Sequence, residues 1–196
     1  MSGPRPDEAR AAGPAGSTGG LGPAVVLITG VMAAGKSTLA QALAERLPRS
    51  VHVRGDVFRR MVVSGRADTV PGAPEEAADQ LRLRYRLSAM TADTYADAGW
   101  TVVVQDVVLG EELTRYVGLV RTRPLYVVVL DPEPRAVAER EAGRPKNGYG
   151  AGWTVESLIG VARAQTPRIG LWLDTSGQTV AQSVDAVLAG LDRARV

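Results

Sequence analysis

The chain has 196 residues, 45% of them hydrophobic, and a formal net charge of +2, so one globular domain with a sizeable core is expected. Because cysteine is absent, disulfides, thiolate metal sites and thiol nucleophiles are excluded, and a reducing, cytoplasmic location is expected. No apolar run approaches the ~18 residues that span a bilayer, and the basic residues are scattered, so neither a membrane nor a nucleic acid is expected as a partner.

The first 22 residues have the composition of an unstructured segment. They are rich in Gly, Pro, Ala and Ser and show no apolar periodicity. Such a segment buries too little apolar surface to offset the conformational entropy that is lost on ordering. We therefore predict a disordered tail over residues 1–22 and a single domain over residues 23–196.

Apolar strands and helical patterns alternate along the rest of the chain. The β-branched run at residues 25–29 is apolar on both faces, as expected of a buried parallel strand, and an amphipathic helix follows at residues 37–47. Further strands are predicted at residues 51–53, 101–105, 125–130 and 169–173, and a closing helix at residues 179–194. This order predicts an α/β fold with about five parallel strands sandwiched by helices.

Residues 74–98 carry two conflicting patterns. Residues 81–87 alternate between apolar and basic side chains like a strand, yet apolar side chains recur at helical spacing from Leu81 to Tyr95. A parallel sheet also needs a crossover helix before the strand that begins at Thr101. We therefore predict a helix in this segment.

A complete phosphate-binding pattern stands between the first strand and the first helix. Residues 30–37 match G-x-x-x-x-G-K-[ST], in which glycines let backbone N–H groups face phosphate oxygens at the positive end of the helix. Lys36 is expected to reach the β- and γ-phosphates, Ser37 to ligate Mg²⁺, and Thr38 to bond the α-phosphate. The predicted nucleotide-binding residues here are Gly30, Ala33, Ala34, Gly35, Lys36, Ser37 and Thr38. Because the guanine-reading pattern N-K-x-D is absent, the expected cofactors are ATP and Mg²⁺, and the expected fold is a P-loop NTPase fold similar to nucleoside monophosphate kinases.

Two further strand ends carry the polar residues that an acceptor would need. Asp56 follows the second strand, at the edge where parallel sheets bind ligands, and is predicted to take the proton of an acceptor hydroxyl; its alternative role is a helix cap. Arg59 and Arg60 are predicted to contact an anionic acceptor, or else to be solvated. At the end of the third strand, Asp106 is predicted to hold Mg²⁺ through water or to orient the acceptor, and Gln105 to bind the substrate.

A basic helix and a Gly-rich segment follow the fourth strand. Together they suggest a lid that closes over ATP and neutralises charge that develops during transfer. Arg140 is predicted to stack on adenine, and Arg144 to contact the transferring phosphoryl group. Residues 145–152 would form the flexible part of this lid; the alternative is an ordinary surface loop after a salt-bridged helix.

Taken together, these residues resemble the chloramphenicol phosphotransferase-like P-loop kinases, which are related to zeta toxins, gluconate kinase and shikimate kinase. The resemblance covers about residues 25–191, and its most specific features are the P-loop, the Gly55-Asp56 element and residues 102–110. It implies that the carboxylate that matches Asp56 is the base. In that family an acidic pair follows the third strand, whereas this sequence has Gln105-Asp106 there, so the first carboxylate is missing.

The function that these residues predict is ATP- and Mg²⁺-dependent phosphorylation of a hydroxyl group on a small molecule, with an antibiotic as the favoured acceptor. Three alternatives stay open: a zeta-toxin-like kinase of a sugar nucleotide, an ATP-dependent regulatory switch without a small acceptor, and a nucleic-acid kinase, which the modest charge disfavours. The sequence leaves the identity of the acceptor and the oligomeric state open.

Overall fold

The computed structural model describes residues 21–67, 72, 74–143 and 154–196. Its helices and strands are, in chain order, β1 (Ala24–Gly30), α1 (Lys36–Arg46), β2 (Ser50–Arg54), α2 (Gly55–Arg60), α3 (Glu75–Asp97), β3 (Thr101–Gln105), α4 (Glu111–Leu119), β4 (Leu125–Leu130), α5 (Pro134–Ala142), α6 (Val155–Gln165), β5 (Leu171–Leu173), α7 (Val180–Ala189) and α8 (Leu191–Ala194).

The five strands form one parallel sheet in the order β2-β3-β1-β4-β5. β1 lies at its centre, where Val26 stands opposite Val103 of β3 and Tyr126 of β4. The predicted α/β fold with about five parallel strands is therefore confirmed. The segment with conflicting patterns is the helix α3, which supplies the crossover between β2 and β3.

Most of the predicted elements end within one residue of the observed bounds; two differ more, and a glycine explains each of these differences. β5 begins two residues later than expected because Gly170, at φ +71°, turns the chain so close to β4 that a Cβ would overlap the carbonyl oxygen of Val127. The predicted closing helix is divided into α7 and α8 at Gly190. There the backbone passes β5 so closely that a Cβ would lie 2.7 Å from Cδ2 of Leu171.

The core has two layers, one on each face of the sheet. Alternate residues of β1 face opposite layers: Val26 and Ile28 pack with residues of α1, α6 and α7, and Val25 and Leu27 pack with residues of α3 and α4. All four of these side chains are fully buried. Burial of each stabilises the fold by about 1.5–3 kcal/mol relative to exposure, so β1 is fixed rigidly and the loop after it starts from a fixed point.

The predicted tail ends in residues that contact the sheet. The Thr101 hydroxyl donates to the carbonyl oxygens of Leu21 and Gly22, at 2.8 Å each. Residues 1–20 lie outside the described residues, so the predicted disorder of the tail stays a prediction. Within the described part of the chain, no helix combines the length and apolar character that crossing a bilayer requires.

The carboxyl ends of β1, β2 and β3 lie at the same edge of the sheet. Each is followed by a segment that sequence analysis singled out: the P-loop, the start of α2, and the loop at residues 106–110. The Thr29 hydroxyl donates to the Val108 carbonyl and accepts from the Val108 N–H, both at 2.8 Å. This pair of bonds fixes the loop after β3 to the end of β1 and holds the three segments together.

Candidate functional site

The P-loop adopts a conformation that its glycines make possible. Gly30 has φ +140° and a Cβ there would lie 2.6 Å from the carbonyl oxygen of Leu130, so only glycine lets β1 pass this close to β4. Gly35 also has a positive φ, +97°, immediately before α1. Between them Ala33 takes a left-handed φ of +59°, which costs a non-glycine residue about 1–3 kcal/mol. The rigid sheet compensates for this strain, which is typical of ligand-binding loops.

The first turn of α1 is suited to an anion. Gly35 provides no side-chain cap, and no acidic residue lies in the first turn. The N–H groups of Lys36, Ser37 and Thr38 have no carbonyl partner within the helix, and the helix dipole adds partial positive charge at this end. The three N–H groups and the dipole together favour phosphate oxygens at this point.

Lys36 and Ser37 supply the two side chains of the phosphate site. Lys36 is buried, with 7% of its surface exposed, and its Nζ donates to the Val31 carbonyl at 2.7 Å, which holds the ammonium group over the loop. The Ser37 hydroxyl donates to Oε1 of Gln105 at 3.1 Å. Because its hydrogen is directed to Gln105, the lone pairs of Ser37 Oγ stay available for a cation, which fits Mg²⁺ coordination. Within the described ranges, no cluster of three or more His, Asp or Glu side chains is placed to hold a metal ion.

Arg140 of α5 contacts the P-loop. Its Nη1 donates to the Ala34 carbonyl at 3.1 Å, and its Nη2 donates to the Thr175 carbonyl at 2.6 Å. Arg140 thereby links the P-loop to the loop after β5, next to the expected position of the nucleotide. Arg144 and residues 145–152, which were predicted to complete a lid, lie outside the described residues.

One open cleft of about 750 Å³ joins the P-loop to the predicted acceptor residues. Its walls include Lys36, Ser37, Asp56 and Asp106. The sequence separates these residues by up to 70 positions, and the carboxyl edge of the sheet brings them together. A triphosphate at the P-loop and a hydroxyl group at Asp56 would therefore share one cavity.

Asp56 lies in the first turn of α2 and is open to the cleft. Its Oδ2 is 3.2 Å from Nη2 of Arg60, and about half of each side chain is exposed. α2 has no side-chain cap, so Asp56 does not serve as its N-cap. Its carboxylate is held by an exposed ion pair, which is weak and leaves the group accessible to a ligand.

Asp106 is held much more tightly than Asp56. Its side chain is 1% exposed, and Nε of Arg84 donates to its Oδ2 at 2.8 Å while Nη2 of Arg84 pairs with its Oδ1. The Val107 N–H also donates to Oδ1, at 2.7 Å. Since both carboxylate oxygens already accept hydrogen bonds, the predicted metal role of Asp106 fits a contact through water better than a direct bond.

Gly55 lets the buried Asp106 carboxylate lie next to Asp56, the predicted base. A Cβ at Gly55 would overlap Oδ2 of Asp106, so the start of α2 rests directly on the Asp106 side chain. Asp106 thus supports the residue that immediately precedes Asp56. This contact couples the position of the predicted base to the Asp106–Arg84 pair.

Arg84 is a residue of the candidate site that sequence reasoning missed. It lies on α3, its side chain is 15% exposed, and burial lowers the pKa of its guanidinium. The next residue, Tyr85, donates its hydroxyl to the Val107 carbonyl at 2.6 Å and fixes this part of α3 to the loop after β3. A signal was present: at helical spacing Arg84 is three residues after Leu81 and four before Ser88, so it borders the apolar face of α3.

Comparisons with known proteins identify the family and the fold. A family model described as an AAA domain matches residues 25–159. The chain belongs to this AAA-domain family. A search among curated proteins finds no match.

Solved structures with the same fold include several enzymes that act on small molecules. A gluconokinase from Sinorhizobium meliloti 1021 aligns with a TM-score of 0.61 and 22% identity over 87% of this chain and 93% of its own. A tunicamycin resistance protein from Deinococcus radiodurans aligns with a TM-score of 0.64 and 18% identity over 88% and 97%. The APS kinase CysC of Mycobacterium tuberculosis, in complex with AMPPNP and APS, aligns with a TM-score of 0.60 and 19% identity over 86% and 96%. These similarities confirm the predicted P-loop kinase-like fold, and the finer resemblance to chloramphenicol phosphotransferases stays a prediction.

Proposed function

We propose that this chain is a kinase that uses ATP and Mg²⁺ to phosphorylate a hydroxyl group on a small molecule. The observation that carries the proposal is the single cleft in which a complete P-loop faces an accessible carboxylate, Asp56. A regulatory switch needs the P-loop but has no use for a proton acceptor opposite it. The similar folds of a gluconokinase and of an APS kinase bound to AMPPNP support a small-molecule acceptor and an adenine nucleotide.

The nucleotide half of the cleft binds and polarises the triphosphate. The N–H groups at the start of α1 and the buried Lys36 ammonium hold the phosphate oxygens and stabilise the charge that develops on them during transfer. Ser37, whose hydrogen is directed to Gln105, is the residue that would ligate Mg²⁺. When bound, Mg²⁺ would neutralise charge between the β- and γ-phosphates.

The acceptor half of the cleft positions the hydroxyl group and takes its proton. Asp56 accepts the hydroxyl proton as the oxygen attacks the γ-phosphorus and the bond from that phosphorus to the β–γ bridging oxygen breaks. The products are the phosphate ester, ADP and protonated Asp56. Asp106 is proposed to support this arrangement by its contact with Gly55, and Gln105 to contact the substrate. Arg144 is proposed to meet the charge on the transferring group, and Arg140 to contact the nucleotide.

An antibiotic is the acceptor class that we propose to test first. The resemblance to chloramphenicol phosphotransferases and the similar fold of a tunicamycin resistance protein support this choice. The protein would be incubated with MgATP and a panel of antibiotics, nucleosides, sugars and sugar nucleotides, and each mixture analysed by mass spectrometry for an added phosphate. A phosphorylated member of the panel is the expected result. ATP consumption without any phosphorylated product across the panel would instead support the regulatory switch.

A further inference from the structure

Gln105 is fixed between the two halves of the cleft. It is the last residue of β3, where it stands opposite Ile28 of β1 on one side and Arg54 of β2 on the other. β1 leads into the P-loop, and Arg54 directly precedes the Gly55-Asp56 element. The side chain lines the cleft, and only 7% of the residue is exposed. A buried side chain that begins at this point can contact ligands in both halves.

The two ends of the Gln105 amide have opposite hydrogen-bonding abilities. Oε1 can only accept hydrogen bonds, and Nε2 can only donate them. Oε1 accepts from the Ser37 hydroxyl at 3.1 Å. A hydroxyl that ligates a cation has to turn its hydrogen away from the cation, so this bond holds Ser37 in the orientation that Mg²⁺ requires. The contact uses the acceptor end of the amide and leaves the donor end for another group.

The donor end of the amide has no hydrogen-bond partner in the part of the chain that the structure describes. Nε2 carries two N–H groups, and Ser37 is bonded to the other end of the amide. Buried donors are nearly always bonded, because leaving one unsatisfied is unfavourable. Since the Gln105 side chain lines the cleft, a bound ligand can supply the missing acceptor.

The γ-phosphate of a bound ATP is the acceptor that this position favours. Nε2 and Oε1 are bonded to the same carbon, so Nε2 lies beside Ser37, the residue expected to hold Mg²⁺ between the β- and γ-phosphates. A phosphate oxygen is negatively charged and forms a strong hydrogen bond with an N–H donor. A carboxylate at this position could also accept from Ser37, but it would repel a phosphate oxygen. The neutral amide suits both partners.

We propose that Gln105 links Ser37 to the γ-phosphate of ATP. Its carbonyl oxygen orients the hydroxyl that ligates Mg²⁺, and its amide nitrogen donates to a γ-phosphate oxygen. Gln105 then helps the site to distinguish ATP from ADP. The inference rests on the proposed kinase function and adds a nucleotide contact to it. One N–H group is enough for the γ-phosphate, so the second stays available for the substrate contact proposed above.

Equilibrium binding without phosphoryl transfer tests this inference. The ratio of the Kd for ADP to the Kd for AMPPNP, both measured by calorimetry at saturating Mg²⁺, reports contacts that are made only with the γ-phosphate. Gln105→Glu keeps an acceptor for Ser37 but loses the donor, and Gln105→Met, of similar length, loses both. Gln41→Met is the matched control, because it removes the same amide from a residue of α1 outside the cleft.

We expect both substitutions of Gln105 to lower this ratio by about tenfold or more, as for loss of a hydrogen bond to a charged group, and Gln41→Met to leave it unchanged. The Mg²⁺ concentration that half-saturates ADP binding reports the Ser37 end of the amide. It should rise severalfold in Gln105→Met and stay the same or fall in Gln105→Glu, which still accepts from Ser37 and adds negative charge. Thermal melting would check that all three variants are folded.

Three results would overturn the proposed link. A fall of less than about tenfold in the ratio for either Gln105 variant would mean that the amide nitrogen does not bind the γ-phosphate. The same Mg²⁺ requirement in Gln105→Glu and Gln105→Met would mean that Gln105 does not orient Ser37. An equal fall in the ratio for Gln41→Met would assign the effect to the fold. If the binding data are as expected but no acceptor is phosphorylated, the link stands and the kinase proposal fails.

Discussion

The two halves of the cleft are built in different ways. The nucleotide half is made largely of backbone from one continuous segment, the P-loop and the first turn of α1, with two glycines at positive φ. The acceptor half is made of side chains from α2, α3 and the end of β3. A continuous segment leaves a complete pattern in the sequence, whereas residues from three distant elements do not. The binding site of the phosphate donor is therefore easier to recognise in the sequence than the binding site of the acceptor.

The largest effect is expected at the nucleotide half. Lys36→Ala should lower phosphoryl transfer by about 10³-fold or more, because it removes the buried charge that faces the phosphates. The fold should persist, because Lys36 belongs to neither layer of the hydrophobic core. Transfer rates and thermal melting of the purified variant would measure both. Near-normal transfer by a folded variant would break the division of roles between the two halves.

Asp56→Asn separates catalysis from nucleotide binding. The variant should lower kcat by about 10²-fold or more, since the amide cannot accept the hydroxyl proton, while the affinity for ATP stays close to that of the wild type. Steady-state kinetics with calorimetric ATP titrations would show the split. A loss of less than about tenfold in kcat would place the base elsewhere, with Asp106 as the next candidate.

Gly55→Ala tests whether Asp106 supports the acceptor half. The added methyl group would overlap the Asp106 carboxylate and push the start of α2 away, so kcat/KM for the acceptor should fall about tenfold, with ATP affinity unchanged. Gly118→Ala in α4 is the matched control, because a Cβ there meets no atom within 4 Å. It should leave activity unchanged. Equal effects from both substitutions would argue against a special role for the Gly55–Asp106 contact.

Arg140→Ala should act on the nucleotide half alone. Loss of its bonds to the Ala34 and Thr175 carbonyls should raise the KM for ATP by about tenfold and leave kcat and the KM for the acceptor nearly unchanged. Steady-state kinetics with each substrate varied in turn would measure this. A change confined to kcat would instead assign Arg140 to the transferring group.

The smallest effect concerns a contact between α1 and β2, beside the cleft. Gln41 of α1 accepts hydrogen bonds from Nδ1 of His52, at 2.9 Å, and from Arg54, at 3.1 Å, both on β2. Nε2 of His52 is buried without a hydrogen-bond partner, and burial lowers the pKa of His52 from 6.5 to about 4. The unfolded chain therefore binds more protons than the folded protein between these values. Stability from this residue is complete above pH 6.5 and is lost as the pH falls towards 4.

Replacement of His52 by glutamine should remove this loss. For a fully buried ring, the loss in the free energy of unfolding on acidification would be roughly 3 kcal/mol. For this half-buried ring, solvent screening reduces that loss to about 1 kcal/mol. Chemical denaturation of both proteins between pH 7 and about pH 4.5 would measure it, and the wild type should lose more stability than His52→Gln. If the free energy of unfolding changes with pH in the same way in both proteins, His52 does not couple protonation to the contact between α1 and β2.

The difference between continuous segments and residues brought together from distant elements also explains how much could be predicted from the sequence. Buried β-branched strands predicted the five-stranded sheet, because a strand that is covered on both faces has a continuous apolar sequence. The boundary at Gly190 was missed because it depends on a close approach to Leu171 of β5, which helical periodicity does not show. Arg84 was missed because its partner, Asp106, is 22 residues distant and helical periodicity alone does not show which basic residue turns inward.

The fate of the γ-phosphate of ATP shows whether the protein transfers it to an organic acceptor. Wild-type protein and Lys36→Ala would be incubated with Mg²⁺, ATP labelled in the γ-phosphate, and the acceptor panel, and the products separated by chromatography. We expect the label to move from ATP into an organic phosphate ester with the wild type and to stay in ATP with Lys36→Ala. Label that appears only as inorganic phosphate, whatever acceptor is supplied, would contradict it.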